Sequence, residues 1–141
     1  MSLNKMEKKS VVFKKTDAQT AQKSDGCYIN GWVKEGSDNF ATDSVNIMIL
    51  KKGTYYVTIN INVSQMFTNT VSFFCLNNKT NLPLDNVSVV HINGPLMNKT
   101  QSTGIIHGII NVDSNLSFKV ISDNIQGAVT IDKSQITLVE I

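Results

Sequence analysis

Residues 54–64 (TYYVTININVS) set Tyr55, Val57, Ile59, Ile61 and Val63 against Thr54, Tyr56, Thr58, Asn60 and Asn62. A period of two sends these two sets to opposite faces of a β-strand. Gly53, following Lys51 and Lys52, marks the turn that opens it. Shorter apolar runs flank this segment at residues 27–33 (CYINGWV), 45–50 (VNIMIL), 71–76 (VSFFCL), 87–92 (VSVVHI), 105–112 (IIHGIINV), 116–121 (LSFKVI), 128–131 (AVTI) and 136–141 (ITLVEI). Turn-forming stretches separate them, among them NNKTNLPLDN, Asn93-Gly94-Pro95 and Asp113-Ser114-Asn115. β-branched side chains dominate the apolar set, which favours strands over helices. Short strands with turn chemistry between them predict an all-β sandwich or barrel of about ten antiparallel strands.

Composition narrows the picture further. A chain of 141 residues fits one domain, and it is long enough to build a core without disulfides or metals. With 41% hydrophobic and 17% charged residues it lies outside the charge-rich disordered class. A net charge of +2 is too small to imply a nucleic-acid partner. Six lysines stand against Glu7 and Asp17 in residues 1–24. Residues 1–25 therefore read as a solvated basic arm, mobile over its first ten residues, and residues 26–141 as the domain. Residues 14–26 show no period and read as a loop or short helix. No apolar run reaches the ~20 residues of a membrane span. MSLNKMEKKS lacks the apolar middle of a signal peptide.

Candidate chemistry is sparse. Cys27 and Cys75 lie in strand-like runs without a CxxC spacing and read as free buried thiols. His91 and His107 are the only histidines, and neighbouring strands would let them form a pair. There is no His-x-His, no Glu between Glu35 and Glu140, no GxSxG and no glycine-rich phosphate loop. No cofactor and no enzymatic activity are expected. Asp113, Asn115, Asp123 and Asn124 carry oxygen ligands that calcium accepts, but the same residues serve turns without metal.

Four pieces of the chain carry a family resemblance. They are Ile47-Met-Ile-Leu-Lys-Lys-Gly53-Thr-Tyr55-Tyr-Val-Thr-Ile59, then Phe73-Phe-Cys-Leu-Asn77-Asn78, then residues 102–118 from Ser102-Thr-Gly104 to Phe118, and finally Ile136-Thr-Leu-Val-Glu-Ile141. In this order they resemble the jelly roll of tumour necrosis factor and of the complement globular heads. The likeness is greatest to the bacterial branch at the C-termini of collagen-like spore-surface glycoproteins. The resemblance implies a jelly roll whose outer strand faces pack around a threefold axis, on a bacterial, spore or phage surface. On that reading Tyr55, Val57, Ile59 and Ile61 fill the core, and Tyr56, Thr58 and Asn60 face a neighbouring subunit. By the same alternation Ile106, Gly108 and Ile110 point inward, while Ile105, His107 and Ile109 point outward. Tyr56 heads the candidates because aromatic residues concentrate at interface centres. The alternative is that the chain covers both faces of these strands itself.

One His107 per subunit would bring three imidazoles to the axis, a low-ranking metal position beside the plainer reading of a surface or interface histidine. The leading functional expectation is a non-enzymatic structural or recognition head. It would be a homotrimer meeting an unknown protein or carbohydrate ligand through the loops at 77–86 and 93–103. A carbohydrate-binding jelly-roll module is the alternative, although Trp32, the single Trp, lies in an apolar run. A small cupin-like metalloenzyme is the second alternative.

Overall fold

The computed structural model describes residues 9–21, 27–65, 70–93, 100–123 and 129–141. These form β1 (Ser10–Lys15), β2 (Gln19–Ala21), β3 (Cys27–Tyr28), β4 (Trp32–Gly36), β5 (Phe40–Thr42), β6 (Ile47–Ile49) and β7 (Gly53–Gln65). The series continues with β8 (Thr70–Asn77), β9 (Leu82–Pro83), β10 (Val90–Asn93), β11 (Thr100–Val112), β12 (Leu116–Asp123), β13 (Val129–Ile131) and β14 (Ser134–Glu140). Every pairing between them is antiparallel. The all-β expectation holds. The described strands number fourteen because several are stubs of two or three residues. Among the described residues there is no helix, and hence none long and apolar enough to cross a membrane.

The strands make two sheets. In the first, β11, β7, β14, β1 and β4 lie side by side, and β13 continues the β14 side of β7 and carries β2. The second runs β10–β8–β12–β6–β5, with β3 on β12 and β9 on β8. The inner faces meet in one core, as two stacked sheets require. Phe13, Tyr55, Val57, Ile59, Ile61, Ile106, Ile136 and Leu138 come from the first sheet, and Ile47, Ile49, Val71, Phe73, Phe118 and Val120 from the second. Tyr55 is wholly buried, with its ring edge-on to Phe40 at 5.6 Å and 79°. Its hydroxyl donates to Lys51 O at 2.7 Å, giving the polar end of a buried tyrosine its partner.

The basic arm requires correction. Ser10–Lys15 is a strand held between β14 and β4, and Gln19–Ala21 pairs with β13. The lysines hide an alternation in which Val11, Phe13 and Lys15 point inward. The pairing partner lies at the far end of the chain, so no local signal announces it. Residues 1–8, the rest of the mobile stretch, lie outside the described residues, as do 22–26 of the loop or short helix.

The run at 27–33 is two strands in different sheets. Cys27–Tyr28 pairs with β12 and Trp32–Gly36 with β1. Between them the chain crosses the sandwich, with Gly31 at φ 86°, where glycine is favoured. The run at 87–92 is also shorter than its pattern: Val87 makes only an isolated bridge to Gly108, and the strand begins at Val90. Ala128 of the run at 128–131 lies outside the described residues.

Lys15 is 1% exposed, and its ammonium donates to Asn30 O at 2.8 Å. Burial pulls its pKa below the usual lysine value, against the pull of the Asp17 carboxylate and then of Cys27. The folded state thus binds the proton more weakly than the unfolded state. Stability from this group therefore rises with pH between the lowered value and the ordinary 10.5. Lys15→Met is expected to be more stable than the parent at pH 7 by about 1 kcal/mol. That gap should narrow as pH climbs toward the ordinary 10.5. Urea unfolding of both chains across this range checks it, and a widening gap would contradict it.

Candidate functional site

The outer face of the first sheet gathers all six sequence-selected positions. In the β11–β7 register Ile109 lies opposite Tyr56, His107 opposite Thr58 and Ile105 opposite Asn60. On the other side of β7 these rows continue through Val139, Thr137 and Gln135 of β14, then Ser10, Val12 and Lys14 of β1. Val33 and Glu35 of β4 close the last two rows, Val33 beside Lys14 and Glu35 beside Val12. The inward set behaves as the alternation requires, with Ile106 and Ile110 buried and Gly108 half-buried.

This face is apolar for an exposed surface. Tyr56 is 44% exposed, Ile105 52%, Ile109 44% and Val139 37%, and Val33 is exposed at the β4 edge of the same face, with Asn60, Gln135 and Lys14 between it and Ile105. Half of the large hydrophobic side chains exposed among the described residues lie on this one sheet face. Val139 and Val33 were not among the selected positions. Val139 follows from alternation in 136–141, but only the register shows that it extends the Tyr56 row. Val33 depended on recognising β4 and β1 as neighbours.

The segment 86–88 covers part of the free edge of β11. Ser88 N donates to His107 O at 2.9 Å and Ile109 N to Asn86 O at 3.1 Å. His107 N donates to Ser88 Oγ at 3.0 Å. The His107 imidazole itself is exposed on the outer face.

His91 and His107 do not form a pair. His91 stands on β10 of the second sheet and His107 on β11 of the first. His91 Nδ1 lies 2.7 Å from Ser72 Oγ, and Asp123 is the register partner of Ser72 on its other side. The serine sits between the two, so the carboxylate cannot orient the imidazole as a nucleophilic triad requires. Ser72 is also only 4% exposed.

No three His, Cys, Asp or Glu side chains converge as metal ligands among the described residues. Asp113 and Asn115 stand before β12 and Asp123 at its far end, so the calcium-type oxygens are not brought together; Asn124 lies outside the described residues. Of the two candidate contact loops, 77–86 is described, whereas 94–99 of the second lies outside the described residues.

Both cysteines are free. Burial pushes the Cys75 thiol up to about 12, so it has almost no thiolate at neutral pH. Cys27 is half-buried, with Gln19 Nε2 3.5 Å from its sulfur. In the native protein a maleimide at pH 7.5 is expected to label Cys27 and leave Cys75 untouched until urea is added. Rapid labelling of Cys75 in the folded chain, read by peptide mass, would show that the core around it opens.

No protein-family model and no curated protein matches the chain. Solved structures do match in fold. The structure of Eiger TNF from S. frugiperda aligns over 94% of this chain and 91% of its own, with a TM-score of 0.66 and 12% sequence identity. Identity this low speaks for architecture alone, and the architecture is that of a TNF-like jelly roll.

Proposed function

We propose that this chain is a non-enzymatic recognition head that assembles as a homotrimer through the outer face of its first sheet. The observation that carries the reading is the exposed row Ile109–Tyr56–Val139, with Ile105 beyond His107 on the same face. Such side chains are worth about 1.5–3 kcal/mol each on full burial, and a contiguous exposed group of them marks an interaction surface. The occupant is a second copy of this chain, as the threefold packing implied by the motif resemblance requires. A closed ring uses each apolar face once and leaves no sticky end. Thr58, Asn60 and His107 then lie within or beside the same contact. Three copies display three sets of loops, so weak single-site binding is multiplied by avidity. Display on a bacterial, spore or phage surface follows from the motif resemblance.

Sedimentation equilibrium of the unmodified chain tests the assembly. The expected mass is three times the 15.6 kDa of the single chain. A monomer at a concentration of about 100 μM, where even a weak specific complex forms, would overturn it.

A further inference from the structure

We propose that the depression at the Lys133 end of this same face binds an acidic sugar. A cavity of about 340 Å³ opens there, its walls including Lys14, Asn60, Asn62, Lys133, Ser134 and Gln135. That volume is within the range of small-ligand sites and accommodates one monosaccharide. Among the described residues no carboxylate lines it. Lys14 meets Glu35 at 3.0 Å, but both side chains are about half exposed, so that pair is weak and readily exchanged. Lys133 is exposed and has no ion pair among the described residues. Two ammonium groups, one of them in only an exposed and exchangeable ion pair, make the depression attractive to a carboxylate.

The walls are already set. Asn62 Nδ2 donates to Lys133 O at 2.6 Å, while Asn62 Oδ1 accepts from Thr103 Oγ1. Ser134 Oγ donates to Asp132 O at 3.0 Å. These bonds hold the β13–β14 turn against β7, so binding need not order it. Asn60 and Gln135 are cross-strand partners. Asn60 makes no side-chain hydrogen bond among the described residues, and Gln135 makes only a 3.5 Å contact to Thr137. Two adjacent amides, each with donors and an acceptor, suit vicinal hydroxyls. An inorganic anion would use the lysines and leave these amides idle. A neutral sugar would find no aromatic ring to stack on among the described residues of the wall. Asn62 lies six residues beyond Tyr56, roughly 20 Å along the strand at ~3.3 Å per residue and away from the Tyr56 row, while Asn60, opposite Ile105, stands at the margin between the depression and the subunit contact.

This inference names a ligand class for the recognition head and rests on that reading, but binding to one site does not require the trimer. The test titrates the isotope-labelled full chain with glucuronate, glucose and inorganic phosphate, following side-chain amide resonances, with the mass measured in the same samples. Glucuronate is expected to shift Asn60, Asn62 and Gln135 with Kd about 1 mM, the range a ligand of this size reaches. Lys133→Gln should weaken it about tenfold, as loss of a charge-assisted contact does, and Lys52→Gln should not. Equal response to glucose or phosphate, glucuronate binding indifferent to Lys133→Gln, or no shift at about 50 mM, fifty times that Kd, would each overturn the proposal. A monomeric mass with intact glucuronate binding would overturn the assembly and leave the sugar site standing.

Discussion

A chain carrying Tyr56→Lys together with Ile109→Lys is expected to sediment as a folded monomer. The two positions face each other across β7 and β11, and both side chains stand on the outer face at 44% exposure. In a closed trimer each change occurs three times. An ammonium on a face that another subunit covers must either be desolvated or hold the contact open. Replacing one central interface aromatic typically costs 2 kcal/mol or more, and the added charge increases that. Two such changes per contact amount to roughly 4 kcal/mol, about a thousandfold in the association constant. The fold itself should survive, since neither side chain enters the core and exposed substitutions usually stay within about 0.5 kcal/mol. Sedimentation and a thermal melt on the same sample check both halves. A variant that still sediments at three times the single-chain mass would place the subunit contact elsewhere. Loss of cooperative melting would show that the chain itself buries this face.

The second large effect falls on Gly108. A Cβ built there would lie 2.2 Å from Asn86 O and 2.6 Å from Val87 Cα. Both are backbone atoms, held by the bridge between Val87 and Gly108 and by the bonds from Ser88 N and Ile109 N. No rotamer change relieves such a contact, so the 86–88 segment must leave the β11 edge. Gly108→Val should then cost about 3 kcal/mol or more, from overpacking and from three hydrogen bonds worth about 1 kcal/mol each. The melting temperature should fall on the order of 10 °C. Gly104→Ala is the informative comparison. Its Cβ would meet Ile92 Cδ1 at 2.6 Å, the movable end of a side chain, so a smaller loss is expected. Equal melting temperatures for wild type and Gly108→Val would show that segment 86–88 does not pack as described.

Much of the candidate site was legible before any coordinates, because alternation depends on nothing but sequence spacing. Tyr56, Thr58 and Asn60 had to share one face of their strand, and Ile105, His107 and Ile109 one face of theirs. That these two faces are the same face, aligned pair by pair, is a matter of register between segments about fifty residues apart. The Lys-rich start was misleading for a related reason. Lysine usually signals solvent, yet Lys15 enters the interior because its aliphatic stem packs and its ammonium reaches Asn30 O. Similarly, the largely apolar run at 27–33 concealed a crossing from one sheet to the other, since Ile29 and Trp32 on either side of the crossing both enter the one core.

What the amino-acid sequence determined alone was the all-β character, the inward and outward sets along the long strands β7 and β11, and a motif order resembling a TNF-like jelly roll. The strands and their two faces are local properties that follow from side-chain type and a period of two, whereas the motif order carries a resemblance. The tertiary structure alone decided that β1 closes the sheet between β14 and β4, that Val139 and Val33 extend the apolar face, and that Gly108 is required by a neighbouring backbone. It also decided that Lys14, Asn60 and Lys133 surround one depression. Each of these depends on which distant strands pair, and pairing is settled by burial over the whole sandwich rather than by any stretch of chain.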